Sequence, residues 1–137
     1  MSRVIMDAGP LVAWLCPKDT HHRWALATLR PLPADIVTCE AVLAEACHMV
    51  AKDGVDPARV LEIVERGAVA LAPLGGEIQA IRVLMAQYRD QRMDFADACV
   101  VRLAELHPDS RTCTTDSDFK VYRHHGRQVI PLLAPWE

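Results

Sequence analysis

The sequence is poor in several features that would each have pointed to a function. Aromatic residues make up only 5% of the chain, which disfavours a broad base-stacking platform and assigns Trp14 and Trp24 to the core or to a subunit contact. No apolar run approaches the roughly 18 to 20 residues needed to cross a bilayer. The first residues also lack the basic, apolar and small-residue succession of a signal peptide, so a cytoplasmic location with no membrane partner is expected. The five cysteines, Cys16, Cys39, Cys47, Cys99 and Cys113, are odd in number and never form Cys-x-x-Cys. They read as small buried hydrophobes rather than as a disulfide framework. Positive charge is lacking too. With 15 basic and 18 acidic residues the formal net charge is -3, and no basic coat advertises tight nonspecific binding to nucleic acid.

What is present is the pattern of one compact domain, 1–137. The 137 residues are 51% hydrophobic and 24% charged, and a chain of this length buries roughly two-thirds of its unfolded surface. Internal repeats, low-complexity tracts and dividing linkers are absent. Short apolar runs alternate with longer helical periods, as a parallel α/β sheet requires. Arg3 to Met6 reads as a first strand ending at Asp7, with a short helix through Leu15 broken at Cys16-Pro17-Lys18-Asp19. A helix from about His21 to Leu29 is stopped by Pro31 and Pro33, and Asp35 to Thr38 reads as a strand, with Thr38 placed to cap a helix from Cys39 to Lys52. Further helices are expected over Pro57 to Arg66, Glu77 to Tyr88 and Asp94 to Leu106, with strands over Val69 to Ala72, Arg111 to Thr114 and Val129 to Ile130.

Within this pattern the stretch "MDFADAC", residues 93–99, places Asp94 and Asp97 three residues apart at the head of an apolar helix. Residues at that separation share a helix face. On a helical wheel Ala98, Val101, Arg102 and Glu105 lie near Asp94, while Phe95, Ala96, Cys99, Val100 and Leu103 occupy the opposite side. The two aspartates suit an N-cap and a capping-box acid, and they equally suit ligands. Asp7 and Asp116 stand at the carboxyl ends of predicted strands, the edge at which open parallel sheets bind ligands. For each, a turn or cap role is the competing reading. Glu45 lies inside a helix at the margin of the stripe Val42, Ala46, Met49 and Val50, where a glutamate is paired, coordinated or reaching outward.

Five carboxylates meeting at one sheet edge could not all stay ionised without cations. Oxygen ligands select hard metals, so Mg²⁺ or Mn²⁺ is expected, and the natural chemistry is metal-assisted phosphodiester hydrolysis. Neutralising four of the 18 acids would set 15 positive against 14 negative charges, a balance of +1, so local arginines would then count.

At these residues the sequence resembles a PIN domain, and specifically the VapC-type ribonuclease toxins of bacterial toxin–antitoxin systems. The resemblance runs nearly end to end, through "VIMDAGPLVAWL", "TCEAVLAEACHMV", "MDFADACVVRLAEL" and "CTTDSDF" in that order. It implies an α/β/α sandwich on a parallel sheet of about five strands, with Asp7, Glu45, Asp97 and Asp116 holding the metal. Asp94 matches an extra aspartate that many members carry beside it. The spacing after Asp116 is short, so Asp118 is expected behind the ligands or as a helix cap. The resemblance further implies a homodimer, an RNA substrate and a small cognate antitoxin protein.

Other groups invite other assignments. His21-His22 reads as a helix start, and His124-His125 as a solvated loop. Lys120, Arg123, Arg89 and Arg92 are the candidate RNA contacts. A haloacid-dehalogenase-like phosphatase would need an acid where Gly9 stands, and a receiver domain would need a lysine where Pro131 stands. A housekeeping RNA-processing nuclease of the same fold, or a catalytically silent module that binds RNA or protein, remains the alternative.

Overall fold

The computed structural model describes residues 3–32 and 35–137, so Pro33 lies outside the described residues. Its centre is a five-stranded parallel sheet in the order β3-β2-β1-β4-β7. The strands are β1 (Arg3–Met6), β2 (Asp35–Thr38), β3 (Ala70–Leu71), β4 (Ser110–Cys113) and β7 (Leu132–Leu133). Val4, Ile5 and Met6 of the middle strand are buried completely or nearly so, as a strand covered on both faces must be. Each contributes about 1.5 to 3 kcal/mol of hydrophobic stabilisation.

Helices α1 (Ala8–Leu15), α2 (His22–Leu29), α3 (Glu40–Lys52), α4 (Ala58–Glu65), α5 (Ile78–Gln87) and α6 (Phe95–Leu106) flank this sheet in an α/β/α arrangement. α1 packs against α2, α3 and α4, and α6 packs against α3, α5, β1 and β4. The chain runs from β1 outward through β2 to β3, then returns on the other side of β1 to lay down β4 and β7. The reversal puts a topological switch point between β1 and β4, whose pairing runs from Arg3 with Ser110 to Met6 with Cys113.

The elements match the expected ones to within a residue or two, with three informative departures. Thr38 does not cap α3; its hydroxyl donates to the Met6 carbonyl at 2.7 Å and ties β2 to β1, and Cys39 stands at the cap position instead. The last sheet strand is not Val129–Ile130. β6 (Gln128–Val129) pairs antiparallel with β5 (Arg123–His124) in a separate hairpin, and Leu132–Leu133 takes the sheet edge beside Thr112 and Cys113. Left-handed φ angles at His125 (47°) and Gly126 (79°) make that hairpin turn, and His124 is buried rather than solvated. Finally, α6 is buried almost all round. Ala98 and Val101, on the Asp94 side of the wheel, are fully buried, whereas Phe95, expected on the apolar side, is 48% exposed. Phe95 is the first residue of the helix, and side chains lean toward a helix's N-terminus, away from the turns that follow.

Candidate active site at the carboxyl edge of the sheet

Asp7 leaves β1 with its amide still bonded to the Cys113 carbonyl of β4, at 3.0 Å. Its Oδ1 accepts from the Ala8 amide at 2.8 Å, which starts α1, and its Oδ2 accepts from the Thr114 hydroxyl at 2.7 Å. That same hydroxyl accepts from the Asp116 amide at 3.0 Å. One threonine thus links the acids that follow two adjacent strands. Asp116 Oδ1 accepts from the Asp118 amide at 2.9 Å, capping the turn Ser117–Lys120. Gly9 allows the two loops to close, because a Cβ there would run into the Thr115 hydroxyl.

At the head of α6, Asp94 Oδ1 accepts from the Asp97 amide at 2.8 Å, an N-cap in full. Asp97 does not return a capping-box bond. Its Oδ2 accepts from the Tyr122 hydroxyl at 3.1 Å. Tyr122 is fully buried and held edge-on by Tyr88 and Phe119, with ring centroids 5.1 and 5.0 Å away. The two aspartates therefore divide the work. Asp94 is exposed and caps, while Asp97 is buried and bonded to Tyr122. Glu45 stands half-buried on α3.

Electrostatics shows which of these groups act on one another. Burial, chiefly, pushes Asp7 up to about 6, with the charges of Asp116 and Asp94 adding to the rise and the bonds from Thr114 and Ala8 opposing it. Glu45 is pushed up to about 7 by burial and then by Asp94, Asp7 and Asp116. Asp97 also rises to about 7, through burial and then Asp94 and Asp7, against the lowering effect of Tyr122. Asp116 is raised by burial first, with the Asp118 and Asp94 charges adding and the Asp118 amide opposing. The charges of Asp94, Asp7 and Asp116 thus reach Glu45 on α3 and Asp97 on α6. Asp118 acts on Asp116 and Tyr122, and its amide is the donor to Asp116 Oδ1.

Sequence reasoning missed Thr114 and Tyr122. Thr114 carried a readable signal, a hydroxyl residue two positions before Asp116 at a strand end; Tyr122 carried none, being 25 residues from Asp97. Of the candidate RNA contacts, Arg89 and Arg92 are exposed just before α6, with Arg92 in the left-handed region (φ 56°). Arg123 is occupied: its guanidinium donates to the carbonyls of Lys120, Val121 and Tyr122 at 2.7 to 3.0 Å. The Lys120 ammonium lies 4.6 Å from the centre of the Trp136 ring. His22 donates from Nδ1 to the Ala13 carbonyl at 2.7 Å, a helix-start contact.

The donor set suits a hard divalent cation. It is all oxygen, and among the described residues none of the five acids makes an ion pair with a lysine, arginine or histidine. Among the described residues no three His, Cys, Asp or Glu side chains stand in a ready-made ligating cluster.

The fold has a solved counterpart. The chain superimposes on the crystal structure of Mycobacterium tuberculosis VapC20, described as a sarcin–ricin loop cleaving toxin, with a TM-score of 0.80 and 15% identity over 93% of this chain and 99% of that one. No curated protein matches the chain by sequence. The PIN domain family matches residues 4–124, from the first buried valine of β1 to the end of β5, the first strand of the hairpin, and the chain belongs to the PIN-domain family.

Proposed function

We propose that the protein is a divalent-metal-dependent endoribonuclease, with Mg²⁺ or Mn²⁺ held by Asp7, Glu45, Asp97 and Asp116 and with Asp94 assisting. One observation carries this reading: mutually repelling carboxylates, without a cationic partner among the described residues, gather at the switch point of a parallel sheet. When bound, the ion supplies an activated water and neutralises the negative charge that develops as the phosphodiester breaks. The chain's own residues prepare for it. Thr114 fixes the Asp7 carboxylate, Tyr122 fixes that of Asp97, and the Asp94 cap holds the first turn of α6 in place. Asp7, Glu45 and Asp97 must give up their protons before they can ligate, so metal affinity rises as pH rises through about 6 to 7. Arg89 and Arg92 are the phosphate contacts this reading favours, since Arg123 and Lys120 are engaged elsewhere.

The likeness to VapC20 supports the further proposal that the chain is the toxin of a toxin–antitoxin pair, acting as a homodimer and silenced by a small antitoxin. Purified protein should cleave RNA with Mg²⁺ or Mn²⁺ and stop with EDTA, and Asp7→Asn or Asp97→Asn should lower cleavage by at least about 10³-fold. Undiminished cleavage by either variant would remove that residue from the site. Induced expression should arrest growth; growth without arrest would favour a housekeeping nuclease.

A further inference from the structure

The exposed ring of Phe95 opens onto a groove that the acid site does not use. It has a volume of about 340 Å³ and is walled by Leu71, Leu74, Ile78 and Phe95, with Cys39 and Cys99 among its buried lining. Leu71, Ile78 and Phe95 are 39%, 55% and 48% exposed, which makes this a contiguous apolar surface on a chain that buries most of its large hydrophobics. The groove adjoins the acids through the first turn of α6. Phe95 sits between Asp94 and Asp97 in sequence, Cys39 feels the charge of Asp7, and Cys99 feels that of Asp94.

Glu40 is the one charged residue among the lining, and no cation is present to take a phosphate. An uncharged, flat, apolar-faced body fits such walls. Bases of unpaired RNA are of that kind, and single-stranded RNA is commonly read by splaying a base onto an aromatic ring. We infer that the groove beside Phe95 receives an unpaired nucleobase of the RNA, adjacent to the phosphate at the acid site, and that Phe95 is its stacking surface. The inference rests on the ribonuclease reading.

The test uses the full chain with Mg²⁺ and short unpaired RNAs carrying 2-aminopurine at successive positions, with fluorescence and cleavage read from the same samples. Quenching is expected at one position next to the cleaved bond. Phe95→Ala should abolish the quench and weaken binding roughly 5- to 150-fold, while Phe95→Trp restores both. The ring is half exposed, so a melting temperature close to that of the parent is expected for the alanine variant. Cleavage with no quench at any position overturns the groove assignment and leaves the nuclease reading standing. A Phe95-dependent quench without cleavage does the reverse. If Phe95→Ala instead splits a dimer into monomers and leaves the quench unchanged, the groove belongs to a second copy of the chain and the inference fails.

Discussion

The two ends of α6 treat carboxylates in opposite ways. Toward its C-terminus, Glu105 and the nearby Glu77 share Arg102, whose guanidinium lies 3.0 Å from Glu105 and 2.8 Å from Glu77, and Glu105 also accepts from the His125 amide at 2.7 Å. At its N-terminus, Asp97 sits equally deep with only a phenol for a partner, and the acids around it repel it. A structural acid is buried together with its counter-charge; a ligating acid is buried without one. The difference supports the proposed site from the chain's own electrostatics, independently of any likeness to other proteins.

The contrast is sharpest for substitutions that remove one charge. Asp97→Asn should all but eliminate cleavage and yet raise the melting temperature of the metal-free protein at pH 7.5, because it deletes a repelled buried charge. Thermal denaturation beside an RNA cleavage assay checks both, and a loss of stability would mean that Asp97 has a structural partner after all. The converse is expected at the other end. Glu105→Gln should cost on the order of 1 to 3 kcal/mol of stability by unpairing a buried part of the Arg102 network, with cleavage unchanged.

The pH dependence of stability tests the same comparison without mutation. Asp7, Glu45 and Asp97 have folded-state values of about 6, 7 and 7, above their ordinary values of 3.8, 4.5 and 3.8. The folded protein therefore binds more protons than the unfolded chain between about pH 4 and pH 7. Stability is fully present at the acid side of that window and is lost as pH rises through it. For Asp7, the step from 3.8 to about 6 is worth on the order of 3 kcal/mol. Metal-free protein should denature at lower urea at pH 7.5 than at pH 5, and Mg²⁺ should restore the difference by binding the folded state alone. A flat profile would show that burial and neighbouring charge do not hold these acids above their ordinary values. The smallest effect is expected from Tyr122→Phe. Losing the hydroxyl leaves the packing against Tyr88 and Phe119 intact but removes the bond that lowers Asp97. The cleavage–pH profile should shift to the alkaline side, with activity at pH 6 falling several-fold and activity at pH 8 nearly unchanged.

Local features were legible in the sequence because their causes are local. Asp94 as the cap of α6, Asp7 at the end of β1 and Asp116 as the cap of the following turn each depend on residues within three positions. Two-residue strands carry too little periodicity to read, so Val129, with its β-branched side chain, attracted the strand assignment although it is 67% exposed and Leu132–Leu133 closes the sheet. The wheel for α6 failed at Phe95 because a wheel assumes one buried face, while this helix is enclosed along most of its length and exposes apolar side chains at its two ends, Phe95 and Leu106.

By itself, then, the sequence determined the order of the acids along the chain, the three-residue spacing that puts Asp94 and Asp97 on one helix face, and the alternation that demands a parallel sheet. Tertiary structure alone decided that β1 and β4 lie side by side, so that Thr114 reaches Asp7 across 107 positions of chain. It also decided that Asp97 faces Tyr122 rather than its own cap, and that Phe95 meets solvent. The physical reason is one of range. Helix faces and caps are set by backbone geometry over one turn, whereas the convergence of side chains from different strands depends on which strands pair, and that is settled by the burial of the whole sheet.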